Sequence, residues 1–108
     1  MWLMRILNNE DWEDFLLSSS ALLILGKNGC DACEKWSDKL QSFEPPAGMQ
    51  IGKLLLDTPG LGRFKLSQPW VADVDILPFN VIFIDGEIKK SWAGGGLERL
   101  KSNLDRYV

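Results

Sequence analysis

The chain has 108 residues and a mass of 12.2 kDa, which suits one domain with its own core, so we expect residues 1–108 to form a single domain. Hydrophobic residues make up 45% and charged residues 25%, a balance typical of globular proteins that argues against disorder, collagen and coiled coil. The net charge is only -3 and the basic residues are not clustered, so we expect no nucleic-acid partner.

No long apolar segment predicts a membrane span. The longest uninterrupted aliphatic run covers residues 21–25, whereas a spanning helix needs about 20 apolar residues. The apolar start of the chain is interrupted by Arg5 and followed by an acidic run at 10–14, without a small-residue cleavage site. The sequence therefore predicts no signal peptide, no membrane association and a cytoplasmic location. Only Trp2 and Trp70 point to an exposed apolar patch, so we expect a monomer.

The first part of the chain predicts a strand, a helix and a second strand. Residues 2–7 are mostly apolar and predict a short strand, and Asn8 and Asn9 predict the cap of a helix about three turns long. Residues 21–25 are apolar without alternation, which is typical of a strand buried on both faces of a parallel sheet, so we expect a central strand there. The apolar face of the first helix is formed by Trp12, Phe15 and Leu16.

A second helix is predicted after the turn at residues 26–29, and it ends before Pro45 and Pro46. Residues 51–56 predict the next strand, which is closed by a Pro-Gly turn. Apolar residues recur at helical spacing along the second helix at Cys33, Trp36, Leu40 and Phe43.

The second half of the chain predicts a short helix around residues 62–66, followed by a loop at Pro69 and Trp70. An Asp-Gly turn between two apolar runs, 79–84 and 87–92, predicts an antiparallel hairpin. The order of elements predicts an α/β fold, a mixed sheet with helices on both faces. The last helix carries an apolar stripe at Leu97, Leu100, Leu104 and Val108.

Two cysteines, Cys30 and Cys33, lie where the predicted central strand passes into the second helix. Thiols at this spacing are close enough to form a disulfide, and they lie near unpaired backbone N–H groups that favour a thiolate. In this arrangement Cys30 is the exposed nucleophile that attacks a target disulfide, and Cys33 resolves the mixed disulfide by attacking Cys30. The sequence therefore predicts thiol–disulfide exchange.

Two other roles for the cysteine pair compete with redox chemistry. A structural zinc site takes four ligands in most cases, and the chain holds two Cys and no His, so we expect no bound metal. A purely structural disulfide would close a very short loop and stabilise the fold by only about 2 kcal/mol. Such disulfides are rare in cytosolic proteins, which disfavours an inert pair.

Four short motifs distributed along the chain carry a resemblance to a known family. They are Cys30-Asp31-Ala32-Cys33, Lys53-Leu54-Leu55-Leu56-Asp57, Ile76-Leu77-Pro78, and Phe83-Ile84-Asp85-Gly86-Glu87 leading to Gly94. Through them the sequence resembles the thioredoxin family along nearly its whole length. The resemblance implies the thioredoxin fold, a central mixed sheet of four or five strands flanked by helices on both faces. It also implies a protein-disulfide reductase without a bound cofactor, whose partners are disulfide-containing proteins and an upstream reductase.

The resemblance also implies roles for residues outside the cysteines. Pro78 matches the cis proline that faces the sulfurs in the family, and the Leu77 backbone before it would pair with an extended substrate segment. Gly94 matches a glycine that lets partners approach, although a flexible turn is the alternative. Lys53 matches a lysine near the buried cysteine, or else it is a solvated charge on a strand edge. Glutaredoxins share the fold, but Leu77 and the Pro78 to Gly94 spacing match thioredoxins better, which disfavours glutathione as reductant.

Three features depart from the family pattern. Gly29 stands where the family has Trp, and Asp31 and Ala32 replace Gly-Pro; we expect all three to contact the substrate. Ile24 replaces a buried acid that manages the proton of the resolving cysteine, so that step is slower or uses Lys53 or water. The charge of Asp31 beside the helix terminus disfavours the thiolate, which predicts a more reducing couple.

The segment 61–75 is longer than the usual loop of the family and brings Trp70 near Pro78. We expect Trp70 to contact the substrate and this segment to shape partner choice, whereas the alternative is that Trp70 fills the core. The altered cysteine motif suits a general reductase or one with a dedicated partner. A different class of function is a binding module that docks a partner through Pro78, Trp70 and the hairpin, with inessential cysteines.

Overall fold

The computed structural model describes residues 4–108, in which a five-stranded sheet is flanked by four α-helices and a short 3-10 helix. The strands are β1 (Arg5–Ile6), β2 (Ser20–Gly26), β3 (Gln50–Leu55), β4 (Phe79–Ile84) and β5 (Glu87–Ala93). The helices are α1 (Trp12–Leu16), α2 (Asp31–Gln41), α3 (Gly62–Ser67) and α4 (Leu97–Tyr107), with the 3-10 helix at Pro69–Asp73. None of the helices in this part of the chain combines the length and the apolar character that crossing a bilayer requires.

The sheet has the strand order β1-β3-β2-β4-β5, which places β2 at its centre. Strand β3 pairs in parallel with β1 and β2, whereas β4 pairs antiparallel with β2 and β5. Every residue of β2 after Ser20 is buried, because helices cover both faces, as the run without alternation predicted. The predicted α/β architecture, a mixed sheet flanked by helices on both faces, is confirmed.

Two apolar layers, one on each face of the sheet, form the core. Successive β2 side chains point to opposite faces, so Leu23 and Leu25 pack with α1 and α3, while Leu22 and Ile24 pack with α2 and α4. Because β2 is buried between the two layers, its carboxyl end is a rigid platform for the turn that leads into α2.

The first helix is shorter than the sequence predicts. It begins at Trp12 rather than directly after Asn8 and covers five residues. The side-chain oxygen of Asn8 accepts the N–H groups of Glu10 and Asp11 at 2.8 and 3.1 Å, so it caps a turn ahead of the helix instead of the helix itself. The buried face is the predicted one, formed by Trp12, Phe15 and Leu16.

The segment after β3 contains more helix than the sequence predicts. The short helix is present as α3, but Pro69 and Trp70 lie in the 3-10 helix rather than in a loop. Pro69 begins that helix, where its missing N–H is not needed. Helix α2 ends before Phe43, which nevertheless packs against the core. Trp2 and Leu3, predicted in the first strand, lie outside the described residues.

Candidate active site

The two cysteines lie where the central strand β2 turns into α2. Cys30 is the residue immediately before α2, and Cys33 is in its first turn. The N–H of Cys33 donates to Sγ of Cys30 at 3.2 Å, and the N–H of Glu34 donates to the Cys30 backbone oxygen at 3.1 Å. The Cys30 sulfur therefore receives an N–H from the helix terminus, which is the arrangement that favours a thiolate once the pair is reduced.

Cys30 and Cys33 form a disulfide, with their Cα atoms 5.2 Å apart. The two sulfurs differ in access, since Cys33 is 1% exposed while Cys30 is half-buried. An incoming disulfide therefore reaches Cys30 first, and Cys33 lies behind it within the helix. Within residues 4–108 no group of three or more His, Cys, Asp or Glu side chains is placed to bind a metal ion.

The turn before Cys30 is held to the chain that follows β3. Asn28 donates to the Asp57 carboxylate from its backbone N–H at 3.3 Å and from its side-chain amide at 3.1 Å. Desolvation raises the pKa of Asp57, but the hydrogen bonds from Asn28 and the charge of Lys27 outweigh it, so this pKa lies below its ordinary value. The sequence placed Asp57 at the end of the third predicted strand and in the turn after it, but no local signal links it to Asn28.

Gly29 leaves the surface beside Cys30 open. Its φ of +77° is in the left-handed region that favours glycine. Apart from Gly29 and its two chain neighbours, no atom of the described chain lies within 4 Å of the point where a Cβ would stand. Asp31 and Ala32 are exposed at the start of α2. The three expected substrate contacts next to Cys30 therefore all lie on accessible surface.

Leu77, Pro78 and Gly94 lie at the end of the sheet that carries the cysteine turn. The Leu77–Pro78 bond is cis, as the resemblance implies. Phe79 pairs with Leu25 near the carboxyl end of β2, which brings the neighbouring Pro78 to the same end. The N–H of Gly94 donates to the Pro78 oxygen at 2.8 Å, so Gly94 is held against Pro78 and is not part of a free turn.

Lys53 lies beside the buried cysteine. Strand β3 lies between β1 and β2, so Lys53 is not on an edge strand, and its side chain is half-buried. Nζ of Lys53 donates to Oγ of the buried Ser37 at 2.8 Å. A Cβ placed on Gly26 would be 3.4 Å from Sγ of Cys33 and 3.5 Å from Cε of Lys53. Cε of Lys53 and the Cys33 sulfur thus flank the same backbone position, in a region where Ile24, fully buried, supplies no carboxylate.

A buried amide that sequence reasoning missed connects α2 with the end of β5. Asn80 in β4 is fully buried, and its side-chain oxygen accepts Nε1–H of Trp36 at 2.8 Å. Its side-chain nitrogen donates to the backbone oxygens of Trp92 and Gly94 at 3.2 and 2.8 Å. Gly95 lies against the Trp36 ring, where a Cβ would come within 3.1 Å. The sequence carried one signal for this network, a lone amide in an apolar strand. A buried amide needs hydrogen-bond partners, so its presence there indicates a polar contact within the core.

Trp70 packs partly into the core and partly lines an open groove. It is half-buried and packs on the apolar layer beneath α3, with its ring centroid 6.0 Å from that of Phe79. Its Nε1–H donates to the side-chain oxygen of Gln68 at 2.8 Å. The remaining surface of the ring lines a groove between the 3-10 helix and strands β4 and β5. Trp70 therefore contributes to the core and to an accessible surface at once.

Thioredoxins of known structure share this architecture. Thioredoxin O2 from Arabidopsis thaliana, in the oxidized state, superposes with a TM-score of 0.77 at 18% identity, covering 97% of this chain and 95% of that one. Oxidised thioredoxin from Plasmodium falciparum has a TM-score of 0.77 at 11% identity, covering 97% and 98% of the two chains. Thioredoxin from Fasciola hepatica has a TM-score of 0.73 at 15% identity, covering 97% and 100%. No protein-family model and no curated protein sequence matches the chain.

These similarities show that the chain has the thioredoxin fold over nearly its whole length. The Cys-x-x-Cys disulfide lies at the junction of β2 and α2 in this fold. The chain therefore has the fold that its resemblance to thioredoxins implied.

Proposed function

We propose that the protein is a thiol–disulfide oxidoreductase that reduces disulfide bonds in partner proteins. The observation that carries the proposal is the asymmetry of the cysteine pair, with a half-buried Cys30 in front of a Cys33 that is 1% exposed. The hydrogen bond from the Cys33 N–H to Cys30 Sγ supports Cys30 as the attacking thiolate. The thioredoxin fold of the chain supports the same chemistry.

The reaction begins from the dithiol. The Cys30 thiolate attacks one sulfur of the substrate disulfide, which forms a mixed disulfide and releases the first substrate thiolate. The Cys33 thiolate then attacks Cys30 Sγ, which forms the Cys30–Cys33 disulfide and releases the second substrate thiolate. Two electrons pass to the substrate, and an upstream dithiol reductase returns the protein to its reduced state. The cation of Lys53 beside Cys33 supports deprotonation of the resolving thiol.

The substrate would bind across the surface around Cys30. The Leu77 backbone would pair with an extended substrate segment, while the buried Pro78 and its partner Gly94 would line one side of the site and Gly29 would keep the other side open. The expected setting is the cytoplasm, where reduced thiols are maintained. Asp31 in place of a neutral residue favours a strongly reducing member of the class, suited to one dedicated partner.

The decisive experiment is a redox titration of the Cys30–Cys33 pair in dithiol buffers, read by alkylation and mass spectrometry. We expect one reversible two-electron couple near or below the glutathione poise of the cytosol. In parallel, Cys33→Ser should accumulate a mixed disulfide with insulin, while Cys30→Ser should form none. Wild-type protein should reduce insulin with dithiothreitol as donor, and both variants should lose turnover.

A markedly more oxidising couple would replace the reductase with an oxidase or isomerase. A pair that forms no reversible disulfide would overturn redox function altogether. If Cys30→Ser also kept full affinity for a partner and full biological activity, the fold would serve as a binding module.

A further inference from the structure

An open groove, which we call the Trp70 groove, lies between the 3-10 helix and the outer strands β4 and β5. Its volume is about 320 Å³, and its charged lining residues are Asp73 and Asp75. Its apolar lining includes Trp70, Val74, Ile76, Phe79, Ile88 and Ala93.

The groove exists because the helical layer stops short of the edge strand. Phe64 of α3 and Val71 of the 3-10 helix are buried against the inner strands, at 0% and 7% exposure. Beyond them Ile76 is 58% exposed and Ile88 on β5 is 44% exposed, so two large aliphatic side chains face solvent on the two sides of the groove. Exposed apolar surface that is concave and continuous is typical of a binding site rather than of scattered surface residues.

The walls of the groove are held in position without a ligand. The Trp70 ring packs on Phe79 and is fixed by its hydrogen bond to Gln68, so binding requires little ordering of side chains. The carboxylates of Asp73 and Asp75 are exposed at the rim, and within residues 4–108 neither takes part in a salt bridge. Two carboxylates beside an apolar surface attract a ligand that carries positive charge next to an apolar group.

The groove is continuous with the surface on which the proposed substrate would bind. Phe79 of β4 and Ala93 of β5 are directly paired and both line the groove. The adjacent residues along the chain are Pro78 and Gly94, which are joined by the 2.8 Å hydrogen bond described above. A polypeptide that passes over Pro78 and Gly94 toward Cys30 therefore has the Trp70 groove one residue farther along the same pair of strands.

We propose that the Trp70 groove is a second docking subsite for the substrate protein. It takes a large apolar side chain from a substrate segment whose neighbouring residues are Lys or Arg, and Asp73 and Asp75 receive those charges. This inference rests on the proposed reductase function and adds a substrate class to it. Disulfides flanked by apolar and basic residues are favoured, and those flanked by acidic residues are rejected by repulsion at the rim.

Binding is tested without any thiol chemistry. The probe is the cysteine-free peptide Lys-Lys-Leu-Phe-Lys-Lys with blocked ends, titrated into the oxidised, nitrogen-15-labelled protein and followed by NMR. We expect shifts at the Trp70 indole and at the backbone of Ile88 and Ala93. A peptide with Glu for each Lys, and one with Ser for Leu and Phe, should each bind at least about tenfold more weakly. Equal binding of the three peptides, or shifts confined to other surfaces, would overturn the proposal.

Two variants and two matched controls locate the effect. Ile88→Ser removes an exposed apolar side chain from the groove and should weaken peptide binding about tenfold. Leu66 is 83% exposed and lies outside the groove, so the control Leu66→Ser should leave peptide binding unchanged. Asp73→Asn with Asp75→Asn should weaken binding about threefold to tenfold and reduce its salt dependence, whereas Asp105→Asn on α4 should do neither. An effect of the control variants equal to that of the groove variants would refute the subsite.

A kinetic experiment separates failure of the groove from failure of the proposed function. Two peptides with the same internal disulfide are compared, one extended by Leu-Phe-Lys-Lys and one by Ser-Ser-Glu-Glu. The subsite predicts a lower KM for the first peptide and loss of that advantage in Ile88→Ser. If neither peptide is reduced while the cysteine-free probe binds the groove, the docking site stands and the reductase fails. If both peptides are reduced with the same KM, the reductase function is supported and the docking subsite is refuted.

Discussion

The Trp36 indole on α2 donates a 2.8 Å hydrogen bond to the side-chain oxygen of Asn80, the second residue of β4. The same Asn80 side chain donates to the backbone oxygens of Trp92 and Gly94. One buried amide thus ties the helix that carries Cys33 to the segment at Gly94, which is itself hydrogen-bonded to Pro78. Apolar side chains enclose the amide. A hydrogen-bonding group that loses the amide as its partner therefore stays unpaired inside the core.

The Trp36–Asn80 pair should show strong energetic coupling. Asn80→Ala should destabilise the fold by about 2 to 4 kcal/mol, since it leaves the indole N–H and two carbonyls without their partner. A double-mutant cycle with Trp36→Phe, measured by urea unfolding, should give a coupling of about 1 to 2 kcal/mol. The matched cycle pairs Asn80→Ala with Trp12→Phe in the opposite layer and should be additive within about 0.5 kcal/mol. Additivity in both cycles would contradict the importance assigned to this hydrogen bond.

Removing the charge of Asp31 should make Cys30 ionise more readily. Asp31 is exposed in the first turn of α2, where a negative charge opposes a thiolate at the helix terminus. In Asp31→Asn the midpoint of Cys30 alkylation should move about half a pH unit lower, and the disulfide should become more oxidising. Asp38→Asn, exposed farther along the same helix, is the control and should leave the profile in place. An unchanged alkylation profile in Asp31→Asn would exclude the proposed electrostatic effect.

Lys53 should assist the second half of the reaction rather than the first. Its side chain lies beside Cys33 and donates to Ser37, so Lys53→Met removes a cation from the resolving sulfur. Decay of the mixed disulfide should slow about fivefold at neutral pH, equivalent to about 1 kcal/mol, and should recover above the ordinary thiol pKa of about 8.5. Attack by Cys30 should be unchanged. Quench-flow with mass readout resolves both steps.

Two further variants test the placement of the Lys53 ammonium group. Ser37→Ala should slow decay of the mixed disulfide in the same pH range by a smaller factor, since it frees the ammonium without removing it. Lys39→Met, an exposed lysine in the last turn of α2, is the control. A slowing that is equally large at high pH would mean that Lys53 acts through packing and not through charge.

Asp57 should make the cysteine turn sensitive to acid. Its pKa is lower in the folded protein than in the unfolded chain, so its charged form stabilises the fold above the unfolded value of about 4 and this contribution is lost as the pH falls through the folded value. Asp57→Asn should therefore be less stable than wild type at pH 6 and equally stable near pH 2. Thermal unfolding across this range measures the difference, and Asp105→Asn serves as the exposed control. A difference that does not change with pH would exclude the charge as its cause.

Several parts of the site could be predicted because their signals are local in the chain. The apolar run that ends at Gly26, followed by Cys30 and Cys33, predicted a buried strand, a turn and a helix that begins at the sulfurs. The Asp-Gly turn predicted the β4–β5 hairpin, which is present with a bulge near Phe83. The cis bond before Pro78 came from the resemblance, because local sequence only permits it.

Other parts depended on neighbours that are distant in the sequence. Helix α1 is shorter than the sequence predicted, since the Asn8 side chain accepts hydrogen bonds from the N–H groups of a turn before the helix and does not cap the helix itself. Lys53 fitted a surface charge as well as an internal one until the strand order placed β3 between β1 and β2. Trp70 was assigned either to the core or to a partner, and the structure shows that its ring packs partly on the core and leaves its remaining surface on an open groove.

The sequence by itself determined the layered α/β arrangement and the position of the thiol pair at a strand–helix junction. Both features follow from the periodicity and spacing of residues close together in the chain. These local patterns favour the same structure wherever the segment lies in the fold. Only the tertiary structure decided that Lys53 lies beside Cys33, that Asn80 joins Trp36 to Gly94, and that a groove opens at Trp70. These relationships arise from strand order and register, which depend on how the whole apolar surface is buried at once.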